Sequence, residues 1–249
     1  MVLPRDTFAR SAVEVAPALL GCVIEHETRE GLVAVALTEV EAYHSQADPA
    51  SHAYRGQTRR NAVMFGPPGH AYVYFTYGMH FCVNLVCLPE GTASAVLLRA
   101  GRVIEGEDLA RARRTAPGPG GRDLARGPAR LCQALGIARE QNGADVCDPA
   151  SPLRVRWPGP EGSLAPFLAR SGGAGADGGA GPAGLGPAEL AGAAISAGPR
   201  VGVSAAGDRP WRFWITGDPT VSVYRPYAPR RAGRKPVSAH AASDGTIPL

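Results

Sequence analysis

The stretch from residue 70 to 85 constrains the fold most strongly, because its polar and apolar side chains alternate. Tyr72 and Tyr74 alternate with Val73 and Phe75, which puts the tyrosines on one face of a strand and the apolar pair on the other. Gly78 permits a turn. Beyond it, His80, Cys82 and Asn84 share one face, and Phe81, Val83 and Leu85 share the opposite face. The pattern predicts a β-hairpin with an aromatic tip, half buried at most. Taken alone, it favours an amphipathic hairpin whose tyrosines simply cap a core.

A second alternating strand precedes the hairpin and ends in carboxylates. Along residues 33–43 one face reads Val33, Val35 and Leu37 and then changes to Glu39, Glu41 and Tyr43. An apolar strand that ends in this way carries an acid from the core to the edge of a pocket. Half of the chain's aromatic residues lie between positions 43 and 81. With His52 and Asn84, the tyrosines and the carboxylates predict a slot for a flat, hydrogen-bonding ring.

Length and composition indicate one domain without a membrane segment. The 249 residues suffice for one large core. No apolar run approaches the roughly 18 residues of a membrane span, and the first residues lack the pattern of a secretion signal. We therefore expect a cytoplasmic protein with no membrane partner. The five cysteines include no C-x-x-C pair, which favours reduced, buried thiols over disulfides or a metal site.

The positive charge is modest in total and uneven in distribution. The formal net charge is +4, too small by itself to indicate nucleic-acid binding. Two groups of arginines stand out, Arg55, Arg59 and Arg60 beside the aromatic region and Arg111, Arg113, Arg114, Arg122, Arg126 and Arg130 further on. Guanidinium groups suit phosphate oxygens. The chain has a single lysine, however, and this arginine bias also fits a bacterium of high genomic GC content.

The remaining pattern predicts helices, strands and two low-complexity regions. Helices are expected at residues 11–20, 105–113 and 127–135, and further strands at 22–26, 94–99 and 211–215. From about residue 159 to 198 the composition changes to Gly, Ala and Pro, which predicts a flexible insertion. Residues 226–249 form a basic, Pro-rich tail that we expect to be disordered.

Several ordered blocks of the sequence closely resemble the mammalian-type alkyladenine (3-methyladenine) DNA glycosylases. The clearest blocks are Glu39-Val-Glu-Ala-Tyr43 and Tyr72-Val-Tyr-Phe-Thr-Tyr-Gly-Met79. Others occupy residues 48–52, 58–61, 64–69, 96–99, 127–136, 200–203 and 214–223, so the resemblance covers nearly the whole chain. It implies an α+β fold over residues 1–225: a single domain with a curved antiparallel β-sheet, flanking helices and a protruding β-hairpin that enters the DNA minor groove.

The resemblance also implies a role for individual residues. Glu41 matches the general base that activates a catalytic water, and Arg99 matches the arginine that helps to hold this water and the carboxylate. The base-binding residues of the family match Tyr43, His52 and Tyr74, which stack on the flipped base, and Asn84, which excludes normal guanine. Tyr77 matches the residue that intercalates into DNA, and Met79 stands beside it at the tip of the hairpin.

These roles imply a monofunctional DNA repair enzyme that acts on double-stranded DNA containing damaged purines. A glycosylase that also nicks the strand needs an amine nucleophile, and the only lysine, Lys235, lies in the tail. The expected product is an abasic site. No metal or organic cofactor is implied, and we expect a monomer at the bacterial nucleoid. Two alternatives stay open, a catalytically silent lesion-binding protein and a hydrolase of free nucleosides.

Overall fold

Nine strands and three short α-helices make up the described part of the protein, a computed structural model covering residues 1–76, 78–114, 120–158 and 192–228. The strands are β1 (Val23–Thr28), β2 (Gly31–His44), β3 (Ala71–Thr76), β4 (His80–Cys87), β5 (Ser94–Glu105), β6 (Ala125–Arg126), β7 (Leu153–Arg156), β8 (Ile195–Gly198) and β9 (Arg212–Ile215). The helices are α1 (Ala12–Ala18), α2 (Glu107–Ala112) and α3 (Pro128–Leu135).

The long strand β2 organises a single antiparallel sheet. The main order is β3-β4-β5-β2-β1-β7, and β9 also pairs with β2. The first half of β2 pairs with β1, whereas Glu39, Val40 and Glu41 pair with β9. Between these halves the register with β5 slips, and Thr38 is left without a partner in it. A bulge of this kind bends a strand, and the sheet accordingly curls into a half-barrel. The predicted α+β single domain with a curved antiparallel sheet is confirmed.

Both carboxylates of β2 are buried. Val40 and Ala42, which alternate with Glu39 and Glu41, belong to the same buried apolar cluster as Ala34 and Ala36, and so do Val33, Val35 and Leu37. The first half of β2 is therefore apolar on both faces, and Glu39 and Glu41 follow where the strand pairs with β9.

Gly101 lies where β5 follows the bend of β2. It pairs with Leu37, and a Cβ atom built on it would lie 2.4 Å from Val35 Cγ1 and 2.5 Å from the Ala36 carbonyl oxygen. Only glycine allows this close approach of the two backbones. Because β5 keeps pairing with β2 as far as Glu105, opposite Ala34, it extends beyond the predicted end at residue 99, and α2 begins at Glu107, two residues later than predicted.

Two apolar clusters support the sheet. In the larger one, α1 packs on β2 and β5, and α3 packs on β4 and β5. The smaller one comprises Ala53, Met64, Tyr72, Val86, Ala93 and Ala95. Residues of the segment that precedes β3 thus cover the tyrosine face of the hairpin, and Tyr72 is only 1% exposed. The prediction that the hairpin is half buried at most was wrong at its base, because the sequence pattern does not reveal this cover.

The aromatic hairpin itself is confirmed. Strands β3 and β4 pair antiparallel, with Tyr72 opposite Asn84 and Tyr74 opposite Cys82, and Gly78 has a positive φ of 67°. Tyr77 lies outside the described residues. The helix predicted to start at Gly127 is also confirmed, since α3 ends at Gly136 in the left-handed conformation.

The two low-complexity regions fall largely outside the described residues. These regions are the predicted insertion through residue 191 and the tail from residue 229 onwards. The predicted end of the insertion at residue 198 was wrong, because Ile195–Gly198 forms β8 and pairs with β9. Backbone pairing specifies this strand, and the small residues that form it carry no apolar pattern.

Two features of the described ranges bear on the compositional predictions. Cys22, Cys82, Cys87 and Cys132 are buried, as predicted, whereas Cys147 is partly exposed. Among the helices in these ranges, none combines the length and the apolar character that crossing a membrane requires.

Replacing Gly101 by alanine is expected to destabilise the fold by about 1–3 kcal/mol, because the new methyl group forces the backbones of β2 and β5 apart. Urea unfolding measures this difference. Gly207→Ala is the matched control, since a Cβ atom there meets nothing within 4 Å. Equal stability of the two variants would show that the close approach at Gly101 does not constrain the sheet.

Candidate active site

Glu41 is a fully buried carboxylate held by three donors. Its Oε1 accepts the backbone N–H of Val201 at 2.7 Å, and its Oε2 accepts the Tyr43 hydroxyl at 2.9 Å. Arg99 Nη1 lies 3.2 Å from the same Oε2. The side chain of Glu41 is 0% exposed. The structure therefore brings together Glu41, Arg99 and Tyr43, three residues that the sequence predicted to act at one site.

Glu39 completes a charged network that the sequence analysis missed. Its Oε1 accepts Arg99 Nε and Arg212 Nε, each at 2.7 Å, and its Oε2 accepts the Ser222 backbone N–H at 2.6 Å. Burial opposes ionisation of Glu39, but the two arginines outweigh it and lower the pKa of the carboxyl group. Arg99 thus bridges Glu39 and Glu41, and its position depends on both.

The four predicted base-binding residues line one open cleft beside this network. The cleft has a cavity volume of about 70 Å³ and is lined by Tyr43, Ala50, His52, Met64, Tyr72, Tyr74 and Asn84. That volume is well below the roughly 300–1,000 Å³ of small-molecule sites, so the walls form a shallow, open slot. The sequence analysis did not single out Ala50, Met64 or Tyr72 as lining residues.

Ring contacts fix the aromatic wall of the cleft. The rings of His52 and Tyr74 meet edge to face, with centroids 4.5 Å apart, and Tyr72 stacks on Tyr74 at 5.5 Å. His52 Nδ1 lies 3.2 Å from the Tyr72 hydroxyl. His52 is open to the cleft, but the surrounding protein desolvates its ring and, with the charge of Arg60, lowers its pKa. A neutral ring at pH 7 follows, which does not repel a positively charged ligand.

Asn84 forms part of the cleft from the neighbouring strand. It is 5% exposed, and its Nδ2 donates to the Tyr72 carbonyl oxygen at 3.4 Å. This hydrogen bond ties the amide to the adjacent strand β3, so the side chain has a fixed place at the cleft. Within the described ranges, no group of three His, Cys, Asp or Glu side chains is placed to hold a metal ion.

Comparison with known proteins identifies the family. The model of the methylpurine-DNA glycosylase family matches residues 6–169. The chain belongs to this family. A protein of Streptomyces avermitilis named "Putative 3-methyladenine DNA glycosylase" is 50% identical to it over 92% of the chain and 94% of the relative. Relatives of the same name from Leifsonia xyli and Frankia casuarinae are 47% and 46% identical, over 89% and 91% of the chain and 92% and 93% of their own lengths.

Membership of the methylpurine-DNA glycosylases confirms the resemblance found in the sequence. The family consists of monofunctional DNA glycosylases, so the predicted enzyme class is confirmed and the chain has a role in DNA repair. Membership of this family also implies DNA as the substrate.

The tip of the hairpin is an exposed feature of the glycosylase domain. Met79 is 68% exposed and Phe75 is 41% exposed. The strand face that carries Tyr74 and Asn84 also carries Thr76 and His80 at the tip, because Thr76 pairs with His80. One face of the hairpin therefore leads from the tip to the cleft.

The two arginine groups of this glycosylase differ in how far their guanidinium groups are bound within the fold. Arg55, Arg59 and Arg60 are exposed, and within the described ranges none of them forms an ion pair. In the later group, by contrast, several guanidinium groups are bound within the fold. Arg111 pairs with Glu107, Arg113 with Glu30 and Arg126 with Asp123, and Arg114 donates to Gln133. The three arginines beside His52 are therefore available to bind phosphates.

Glu39→Gln is expected to destabilise the enzyme by about 3–5 kcal/mol at neutral pH, because two buried arginines lose their common partner. A carboxyl group whose folded pKa is lowered stabilises the fold above its unfolded pKa of about 4.3. This contribution is lost as the pH falls below that value towards the folded pKa. The stability difference between wild type and variant should therefore shrink between pH 5 and pH 3, taken as about one unit either side of the unfolded value.

Urea unfolding at a series of pH values measures this difference. The exposed Glu90 supplies the control Glu90→Gln, which should follow the wild-type curve. A constant difference between Glu39→Gln and wild type across the series would contradict the role of Glu39 as the shared anion.

Proposed function

We propose that this glycosylase flips alkylated or deaminated purines out of duplex DNA and hydrolyses the N-glycosidic bond, leaving an abasic site. The observation that carries the proposal is the hydrogen bond of 2.9 Å between Tyr43, whose ring lines the cleft, and the buried carboxylate of Glu41. A base stacked on this ring has its sugar close to a fixed general base. The names of the relatives support 3-methyladenine as one substrate.

Stacking supplies the recognition step. The flipped base lies between Tyr43 on one side and His52 and Tyr74 on the other. N-alkylation makes a purine cationic, and electron-rich ring faces attract a cation by roughly 0.5–2 kcal/mol. The neutral His52 adds no opposing charge. Asn84 lies where it disfavours the exocyclic amino group of normal guanine, so undamaged guanine is rejected.

Glu41 supplies the chemical step. It takes a proton from a catalytic water that Arg99 helps to hold, and the water oxygen bonds to C1′ of the sugar. The bond between C1′ and the base nitrogen breaks, and its electron pair leaves with the base. A cationic, alkylated base departs neutral, and a neutral base such as hypoxanthine departs as an anion that takes up a proton from solvent. A positioned general base contributes roughly 10²- to 10⁴-fold to such a rate.

Duplex DNA is bound through the hairpin and the exposed arginines. Tyr77 and Met79 enter the minor groove, where an aromatic or apolar wedge fills the space of the flipped nucleotide. Arg55, Arg59 and Arg60 contact backbone phosphates. The enzyme acts as a monomer on nucleoid DNA in the bacterial cytoplasm.

Two features disfavour the alternative functions. A silent lesion-binding protein has no use for a carboxylate held by three donors beside the stacking ring. A hydrolase of free nucleosides has no use for an exposed Met79 on a hairpin beside the cleft. Lesion excision from duplex DNA uses both features.

Glu41→Gln is expected to lower base release by about 10²- to 10⁴-fold, because the amide cannot accept a proton from water. The measurement is single-turnover release of base from duplex oligonucleotides that contain hypoxanthine or ethenoadenine. Lesion binding should survive. The control is Glu27→Gln, an exposed carboxylate on β1. Tight lesion binding without release by wild type would instead establish the silent lesion binder.

Tyr77→Ala and Met79→Ala are expected to lower release from duplex DNA by about tenfold or more, since nothing then fills the gap left by a flipped base. Release from a single-stranded oligonucleotide with the same lesion should fall much less. Tyr224→Ala, at an exposed aromatic residue outside the hairpin, is the control. Equal losses on both substrates would exclude a wedge and favour a role of the hairpin in the fold.

A further inference from the structure

A buried ion pair lies behind the Tyr43 ring and has no part in the steps described so far. The guanidinium carbon of Arg200 is 4.6 Å from the centroid of that ring and 5.2 Å from the ring of Trp211. The side chains of Arg200 and Asp48 are both 0% exposed. Arg200 does not line the cleft, so it covers Tyr43 from the side away from a bound base.

Asp48 fixes the guanidinium group of Arg200 against the Tyr43 ring. Its two carboxylate oxygens accept Arg200 Nη1 at 2.5 Å and Nη2 at 2.8 Å. The same oxygens accept the backbone N–H groups of His44 and Ala50. Burial opposes ionisation of Asp48, but Arg200 outweighs it and lowers the pKa of the carboxyl group. Asp48 therefore ties Arg200 to the segment that runs from the end of β2 into the cleft.

The residue after Arg200 holds the catalytic carboxylate. The Val201 backbone N–H donates to Glu41 Oε1 at 2.7 Å, and Glu41 in turn accepts the Tyr43 hydroxyl. The Arg200 side chain and the Val201 backbone thus restrain the stacking ring and the general base together. A displacement of this dipeptide would move both groups.

We propose that Asp48 and Arg200 are positioning residues that set both the placement of Tyr43 and Glu41 and the preference of the cleft between neutral and cationic bases. This inference rests on the proposed function. It assigns a role in specificity to charges that never touch the substrate.

The charge effect arises because Arg200 and the bound base lie on opposite faces of the Tyr43 ring. A cation on one face of Tyr43 opposes the attraction of a second cation to the other face, and Asp48 offsets the charge of Arg200. Without the carboxylate, an uncompensated positive charge remains behind the ring and disfavours a cationic base. Without the guanidinium group, a negative charge remains and favours it. A neutral base responds weakly to either change.

The test compares single-turnover release of cationic 7-methylguanine and neutral hypoxanthine from duplex DNA. Asp48→Asn should lower the ratio of the two rates by about three- to tenfold, and Arg200→Gln should raise it by a similar factor. Glu25→Gln is the matched control, because Glu25 pairs with Arg154 and Arg156 on β7, at the far edge of the sheet. The ratio of the two release rates in this variant should stay at the wild-type value.

A merely structural role predicts another result. Loss of packing would lower both rates together, so an unchanged ratio, or a shift in the same direction for both variants, overturns the proposed effect on specificity. Wild-type enzyme that releases neither base would overturn the proposed function instead. The two failures are therefore distinguishable.

Arg200→Lys decides the positioning role even if the two charge-removing variants do not fold. Lysine keeps the charge of the pair with Asp48 but lacks the planar group that lies against Tyr43. Circular dichroism first establishes that the variant is folded at the assay temperature. Both release rates should then fall by about tenfold or more at an unchanged ratio. Wild-type rates in this folded variant would overturn the positioning role.

Discussion

The site depends on Arg99, which is shared between two buried carboxylates. Neither Glu39 nor Glu41 is exposed, and the guanidinium group between them is 7% exposed. A single buried charge costs several kcal/mol, whereas paired charges with satisfied hydrogen bonds are tolerated. Arg212 adds a second cation beside Glu39, and the pair of Asp48 and Arg200 brings the buried set to three acids and three arginines. This balance allows charges to occupy the interior of a curled sheet.

The sequence predicted most of the fold because the strands carry regular patterns. The aromatic hairpin and the capped helix α3 were specified locally, by alternation and by glycines at turns. The bulge at Thr38, the bend at Gly101 and strand β8 were not predicted, since each depends on pairing with a distant strand. Glu39 shows the same limit. Its partners Arg212 and Ser222 follow more than 170 residues later, and no local pattern relates them.

The site residues were predictable through the resemblance to a family, and less so through their physical chemistry. Alternation alone favoured a plain core hairpin, and the slot for a flat ring was suggested only by the neighbouring aromatic residues and carboxylates. The structure places Tyr43, His52, Tyr74 and Asn84 around one cleft. Tyr72 could have been recognised as a lining residue, since it shares a strand face with Tyr74. Ala50 and Met64 gave no signal, because small or apolar residues at a pocket resemble any others in the core.

The small apolar cluster beneath the cleft makes the shape of the cleft independent of the packing of the larger core. Met64 and Tyr72 belong both to this cluster and to the walls of the cleft, and neither belongs to the larger core under α1 and α3. A change in volume at these positions alters the shape of the cleft, while the packing that holds most of the sheet stays intact. Related enzymes can therefore diverge in the range of bases that they accept without a matching drift in thermal tolerance.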